Sequence, residues 1–278
     1  MKPIYKIFFT LSILLTIASL VVTGVIWRKS HGNILSADFR GGIVLELEFV
    51  GARPDVATIQ SQFPSYSVNP IGIQGIIIRA GEMSEAEHKE TIKTLTDKFG
   101  AVTERRFDDV GPTVGAELKS KSITGMIVLL VAITVYLAIV FRTMRRVLSP
   151  WALGIAAICA LLHDLIIPIG VMSYLAYFHG VELGAVFVAA ALTILGYSVS
   201  DTVVVFDRVR ENVIRMGSKE SFPSIVHVSI MQTLTRSINT SVTTLLSLVA
   251  IFFFGGESIK YFALALIIGI VSGTYSSI

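Results

Sequence analysis

The chain has 278 residues, 53% of them hydrophobic and only 15% charged, with a mean hydropathy of +0.73 and a formal net charge of +3. A soluble domain carries about 25% charged residues, so the deficit argues against a soluble enzyme and for a polytopic membrane protein. The single cysteine, Cys159, excludes an internal disulfide and a cysteine-rich zinc site.

The uncharged run at 7–26 is the first span, preceded by Lys2 and Lys6 and followed by Trp27, Arg28 and Lys29. It is longer than the roughly 7–15 apolar residues of a secretory signal, and no small-x-small cleavage site follows. It is expected to stay as an anchor helix. Residues 43–108 then change character. Ile43–Phe49 alternates apolar and acidic residues, a half-buried strand. Pro54 and Asp55 open a short helix to about Phe63. Tyr66–Asn69 and Gly75–Arg79 read as two strands. Ser84-Glu-Ala-Glu87 is a capping box for a helix ending at Gly100, and Val102–Asp108 is a last strand. Strand, helix, strand, strand, helix, strand is the order of a ferredoxin-like unit. His88 is expected on the solvated face of its helix.

Five more spans follow, at roughly 122–141, 148–176, 183–206, 233–254 and 258–278. The expected fold is therefore an α-helical polytopic membrane protein, with six transmembrane helices and a small α+β external domain between helices 1 and 2. The domain division is 1–27 as helix 1, 28–121 as the external module, and 122–278 as the other five helices. The N-terminus, the 142–146 turn and the 207–220 loop together hold nine Lys/Arg against three acids. The positive-inside rule puts all three in the cytoplasm, facing anionic lipid, and residues 28–121 outside. That module carries twelve Lys/Arg and thirteen Asp/Glu, which argues against a nucleic-acid partner.

Asp201 is the only charge between Glu182 and Asp207. An ionised carboxylate in hydrocarbon costs about 2.5–3.5 kcal/mol on insertion scales, so it reads as functional and as a proton carrier. Thr193, Tyr197, Ser200, Asp201 and Arg208 recur at helical spacing, and so do Arg236, Asn239, Thr240, Thr243 and Ser247. Antiparallel neighbours would bring Asp201 and Arg236 to similar depth as a pair. A structural ion pair, or an arginine snorkelling to the interface, are the other readings. His163-Asp164 lies in mid-span. Adjacent residues diverge by about 100° on a helix, so the two are not expected to form one site, but Asp164 is a second proton-path candidate. Residues 207–212 should end the fourth span and start an amphipathic segment whose Ile214, Ile225 and Val228 lie on the membrane. Asp38-Phe-Arg-Gly-Gly42 is either a hinge or an ordinary turn. At Val110–Leu118, Gly111, Pro112 and Gly115 should break any helix, giving either a linker or a joint. No HExxH or GxSxG motif occurs, and the chain is read as a non-enzyme without cofactor or metal.

The chain resembles the SecF family, the smaller partners of SecD in the bacterial Sec export machinery and relatives of the RND transporters. The resemblance rests on 38–42, 110–115, His163-Asp164, Gly196–Asn212, Gln232–Ser241 and Gly273–Ile278. It implies a multi-pass protein of the bacterial inner membrane with its external domain in the periplasm. It also implies use of the proton-motive force, with a SecD-like subunit, to draw unfolded polypeptides outward after SecA and SecYEG. Asp201 and Arg236 would be the coupling pair, and Asp38, Gly41, Gly42, Gly111, Pro112 and Gly115 the joints. Arg40 and Ser200 depart from the usual small residue and asparagine, and the sequence stops at Ile278, short of the usual tail. An RND-type small-molecule exporter and a purely structural translocon subunit are the alternatives.

Overall fold

The computed structural model describes residues 3–30, 34–142, 149–216 and 220–277. Lys2, residues 143–146 of the expected basic turn, 217–219 of the next basic loop and Ile278 lie outside them. The chain divides into two compact units. One comprises Ser30–Ser122 with Leu175–Ala185; the other comprises Met1–Lys29, Ile123–Tyr174 and Val186–Ile278.

In the first unit, a one-turn helix α2 (Ala37–Arg40) leads into β1 (Gly42–Phe49), α3 (Val56–Gln62), β2 (Ser67–Ile71), β3 (Gly75–Ala80), α4 (Glu85–Phe99) and β4 (Val102–Val110); α1 (Pro3–Ser30) precedes them. The sheet order is β2-β3-β1-β4 with every neighbouring pair antiparallel, the ferredoxin-like arrangement. Period-two alternation turns Leu45, Leu47 and Phe49 of β1 inward, onto Ile76 and Ile78 of β3, Ile59 of α3 and Leu95 of α4. Glu48 faces out and pairs with Arg105. The capping box at Ser84 and Glu87 is formed. Hydrogen bonds from the Ser84 backbone and hydroxyl hold the Glu87 carboxyl below its ordinary range.

His88 departs from the solvated position expected of it. Its ring stacks on Phe107 at 4.1 Å between centroids, and Nε2 lies 3.1 Å from Glu104 Oε2. The aromatic face of β4 covers a ring that helix periodicity alone would leave in water.

The second unit contains most of α1, α5 (Pro112–Val140), α6 (Pro150–His179), α7 (Ala185–Met216), α8 (Phe222–Phe254) and α9 (Glu257–Ser276). Among the described residues, six helices are long and apolar enough to cross a membrane, as the hydropathy pattern requires. The buried core runs in rows at i, i+4: Ile133, Leu137 and Phe141 from α5 and its end, and Leu153, Ala157, Leu161 and Leu165 from α6. These meet Ala191, Leu195 and Val209 of α7.

Helix boundaries differ from the apolar runs in three places. Pro112 does not break a helix: it is the first residue of α5, where its missing N–H is harmless, and Gly115 lies inside the first turns. No separate amphipathic helix follows Phe206, because α7 continues unbroken to Met216. α8 begins at Phe222, well before the apolar run. The α7–α8 extension is held by Asn212, buried, whose Nδ2 donates to Ser229 Oγ at 2.8 Å and Gln232 Oε1 at 2.9 Å. Ile225 is buried in it rather than lying on a membrane surface, while Ile214 is exposed.

Candidate functional site

Two carboxylates sit inside the helix bundle. Asp164, on α6, is 0% exposed. Its Oδ2 accepts from Ser198 Oγ of α7 at 2.5 Å and from Ser276 Oγ of α9 at 2.8 Å. Its Oδ1 lies 2.8 Å from His163 Nδ1, and His163 Nε2 lies 2.7 Å from the Tyr275 hydroxyl. The expected divergence of His163 and Asp164 is thus overturned. The imidazole is long enough to swing back to its neighbour, and Tyr275 holds its far side edge-on at 5.3 Å between centroids.

Close approach of α9 makes this possible. A Cβ on Gly273 would lie 3.2 Å from Ser198 Cβ, a tight contact, and 3.4 Å from Asp164 Oδ2, so the glycine lets α9 pack closely against Ser198. Pro168, four residues after Asp164, supplies no N–H to that residue's carbonyl, so α6 lacks one rung there.

Asp201, on α7, is partly buried. Ser237 Oγ of α8 donates to Oδ1 at 2.6 Å, and Ser277 Oγ, just past α9, donates to Oδ2 at 2.5 Å. Arg236 is not its partner. It is exposed and lines a cleft of about 280 Å³ with Asp207, Arg208, Glu211 and Gln232. The reason is rotational. The side of α8 packed into the bundle carries Ser229, Thr233, Ser237 and Ser241, each four residues on from the last. Small hydroxyl residues permit that contact, and Arg236 lies about 100° away.

The remaining stripe residues divide between inside and outside. Tyr197 OH donates to Ser241 Oγ at 3.2 Å, and Thr274 Oγ1 donates to the same oxygen at 2.7 Å. Thr193, Ser200, Asn239 and Thr240 are exposed, and the Thr193 and Thr240 hydroxyls return to their own helix carbonyls. Sequence reasoning missed Ser198, Ser237, Tyr275, Ser276 and Ser277. The available signal was their place in the blocks Gly196–Asn212, Gln232–Ser241 and Gly273–Ile278.

The glycine motifs meet each other in the ferredoxin-like unit. Gly41 has φ +75°, and a Cβ there would lie 2.7 Å from Pro112 Cα. A Cβ on Gly115 would lie 2.8 Å from the Gly41 nitrogen. Gly42 sits against the Ala80 carbonyl, whereas Gly111 has open space around it. Asp38 has a role that spacing did not reveal: its Oδ2 accepts from the Ala185 N–H at 2.9 Å, capping the start of α7. Beside it, Arg79 Nε donates to Glu182 Oε1 at 2.5 Å and Arg79 Nη2 donates to the Gly180 carbonyl at 3.3 Å. Burial, then the neighbouring Arg79 charge, lowers the Arg40 pKa.

The chemistry of this set is narrow. The Ser198 hydroxyl reaches the Asp164 carboxylate and not the His163 imidazole. No group of three or more His, Cys, Asp or Glu suited to a metal occurs among the described residues. What remains are carboxylates whose partners are an imidazole and hydroxyls, groups that can rearrange around a proton.

Six membrane-crossing helices, a ferredoxin-like insert and carboxylates held between helices define a multi-pass membrane protein of the transport class. Residues 90–278 match the family model described as protein export membrane protein SecD/SecF, C-terminal. The chain is 41% identical to the protein translocase subunit SecF of Thermobaculum terrenum, over 98% of this chain and 88% of that one. It is 38% identical to SecF of a Synechocystis strain, over 96% and 87%. The structure of SecDF from Thermus thermophilus, a translocon-associated membrane protein, superposes with a TM-score of 0.80 at 32% identity. SecDF in a super-membrane-facing form gives 0.65 at 31% identity. The chain is covered over 96% in both and spans 36% of the SecDF chain. The chain belongs to the SecF family of protein translocase subunits.

Proposed function

We propose that this chain works with a SecD-like subunit in the bacterial inner membrane, using the proton-motive force to promote polypeptide export begun by SecA and SecYEG. The observation that carries this reading is Asp201, an acid inside a membrane-crossing helix whose hydrogen-bond partners are the hydroxyls of Ser237 and Ser277. Hydroxyl partners leave the carboxylate free to bind a proton without breaking an ion pair. Arg236, exposed on a membrane-crossing helix, needs a counter-charge in hydrocarbon. A carboxylate of the SecD-like subunit, or Asp201 in another state of the cycle, would supply it.

In this reading the N-terminus is cytoplasmic, residues 28–121 are periplasmic, and Asp164 is a second acid on the path. The Gly41, Pro112 and Gly115 contact carries helix movement to the external domain. One charge crossing 100 mV supplies about 2.3 kcal/mol, enough for a few protons to drive a domain swing. The test is Asp201→Asn in membrane vesicles with and without a proton gradient. The variant should insert normally and lose the gradient-dependent part of export; full stimulation in the variant overturns the reading. A structural subunit would be indifferent to the gradient, and a small-molecule exporter would leave polypeptide export unchanged.

A further inference from the structure

We propose that His163 and Asp164 form one proton-binding site, with the proton taken up on His163 Nε2 and delivered through Tyr275 from a cleft between α1, α8 and α9. Its use in export rests on the reading above, but its test does not.

The cleft measures about 720 Å³ and is lined by aromatic residues Tyr5, Phe8 and Phe9 of α1 and by Phe222 and His227 of α8, with Tyr275 and Ser276 of α9. These two α9 residues also touch the His163–Asp164 pair, at 2.7 Å and 2.8 Å. Tyr275 therefore stands between an accessible cavity and a carboxylate that is 0% exposed.

The hydrogen bonds determine which nitrogen is basic. In the ionised form of Asp164 the carboxylate only accepts, and in that form the 2.8 Å contact with Oδ1 places the imidazole proton on Nδ1. Nε2 then carries a lone pair, and the Tyr275 hydroxyl at 2.7 Å donates to it. A phenol both donates and accepts. On uptake, Tyr275 passes its proton to Nε2 and takes one from hydronium in the cleft, which leaves as water. Nε2–H then donates to the Tyr275 oxygen. One proton is gained, the heavy atoms stay in place, and the His163–Asp164 unit goes from a net charge of −1 to zero.

Among the described residues, the groups hydrogen-bonded around this unit come from three helices: α1 contributes Ser12, which bonds Tyr275. α7 contributes the hydroxyl of Ser198, and α9 those of Tyr275 and Ser276. The next carboxylate, Asp201, is reached through Ser277, the residue after Ser276. In the cleft itself, Tyr5 OH lies 2.6 Å from His227 Nδ1.

The experiment is nitrogen-15 NMR of the full chain in lipid nanodiscs, with His163 assigned by its loss in His163→Gln. As the pH is lowered, Nδ1 should stay protonated while Nε2 passes from bare to protonated. Asp164→Asn should abolish the single-tautomer signature. Tyr275→Phe, nearly isosteric, should keep the tautomer but slow exchange of the Nε2 proton with water several-fold. In a Cys159→Ser background, Ser276→Cys should react with a water-soluble thiol reagent, and Ser12→Trp, at an α1 residue that also lines the cleft, should slow that reaction several-fold by filling it. A His163 that holds one protonation state throughout, or water exchange unchanged by Tyr275→Phe, overturns the proposal. If Asp164→Asn fails to insert, the Tyr275→Phe result alone decides. Intact His163 titration in an export-dead Asp201→Asn variant would keep this site while leaving the export reading to its own test.

Discussion

The Ser237 hydroxyl donates to Asp201 Oδ1 at 2.6 Å, while Arg236, the residue before it, faces out of the bundle. Two neighbours in sequence thus have different surroundings, Ser237 within the bundle and Arg236 on its exposed side. The stability of the chain and its activity should separate accordingly.

Ser237→Ala should destabilise the isolated chain by about 1.5–3 kcal/mol, the usual worth of a hydrogen bond to a charged group. Arg236→Ala should stay within about 0.5 kcal/mol, as for a surface substitution, yet lose gradient-dependent export. Unfolding of the purified chain in mild detergent, set beside a vesicle export assay, checks both.

Gly41 and Gly111 were alike as candidate joints in the sequence but are unlike in space. Gly41→Ala must place a Cβ against Pro112 at a φ of +75°, a strain of about 1–3 kcal/mol. Gly111→Ala meets nothing within 4 Å and should be neutral. Limited proteolysis of the ferredoxin-like unit should accelerate in the first variant and not in the second.

The Glu87 carboxyl has a pKa held below its ordinary value by Ser84. A depressed carboxylate stabilises the fold above its unfolded pKa, and that stabilisation is lost as pH falls through the folded value. The protection factors of the amides in the first turn of α4, which correct for the intrinsic pH dependence of exchange, should therefore fall on acidification below about pH 4.3, the ordinary glutamate value. Ser84→Ala should raise exchange already at neutral pH and flatten that acid dependence. An unaltered acid profile in Ser84→Ala would contradict this account.

Arg79 and Glu182 pair at 2.5 Å with side chains 18% exposed, and Arg40 feels both charges. Glu182→Gln should destabilise the ferredoxin-like unit by about 1–3 kcal/mol, because it removes the carboxylate that pairs with Arg79 and offsets that charge beside Arg40. Arg40→Thr in the Glu182→Gln background should recover part of the loss. A double-mutant cycle on unfolding midpoints measures the coupling, and strict additivity would argue against a shared cluster.

Much of the architecture was legible because its signals are local. Uncharged runs of membrane length, Ser84 three residues before Glu87, and alternation in Ile43–Phe49 each need only neighbouring residues to act. The helix ends were less legible. α5 reaches back to Pro112 and α7 runs on to Met216 because polar turns can continue a helix beyond its apolar stretch.

The sequence by itself determined that the chain crosses a membrane six times, that it carries a ferredoxin-like insert, and that Asp164 and Asp201 lie within apolar spans at a cost that needs a reason. It could not determine which way each helix is turned. In a span that is apolar on every side, hydropathy carries little information about rotation, and a serine facing an acid looks the same as one facing lipid. Only the tertiary structure decided that Ser237 rather than Arg236 meets Asp201. It alone brought His163 round to Asp164 under Tyr275, because Gly273 lets α9 approach closely enough for Ser276 to reach the buried carboxylate.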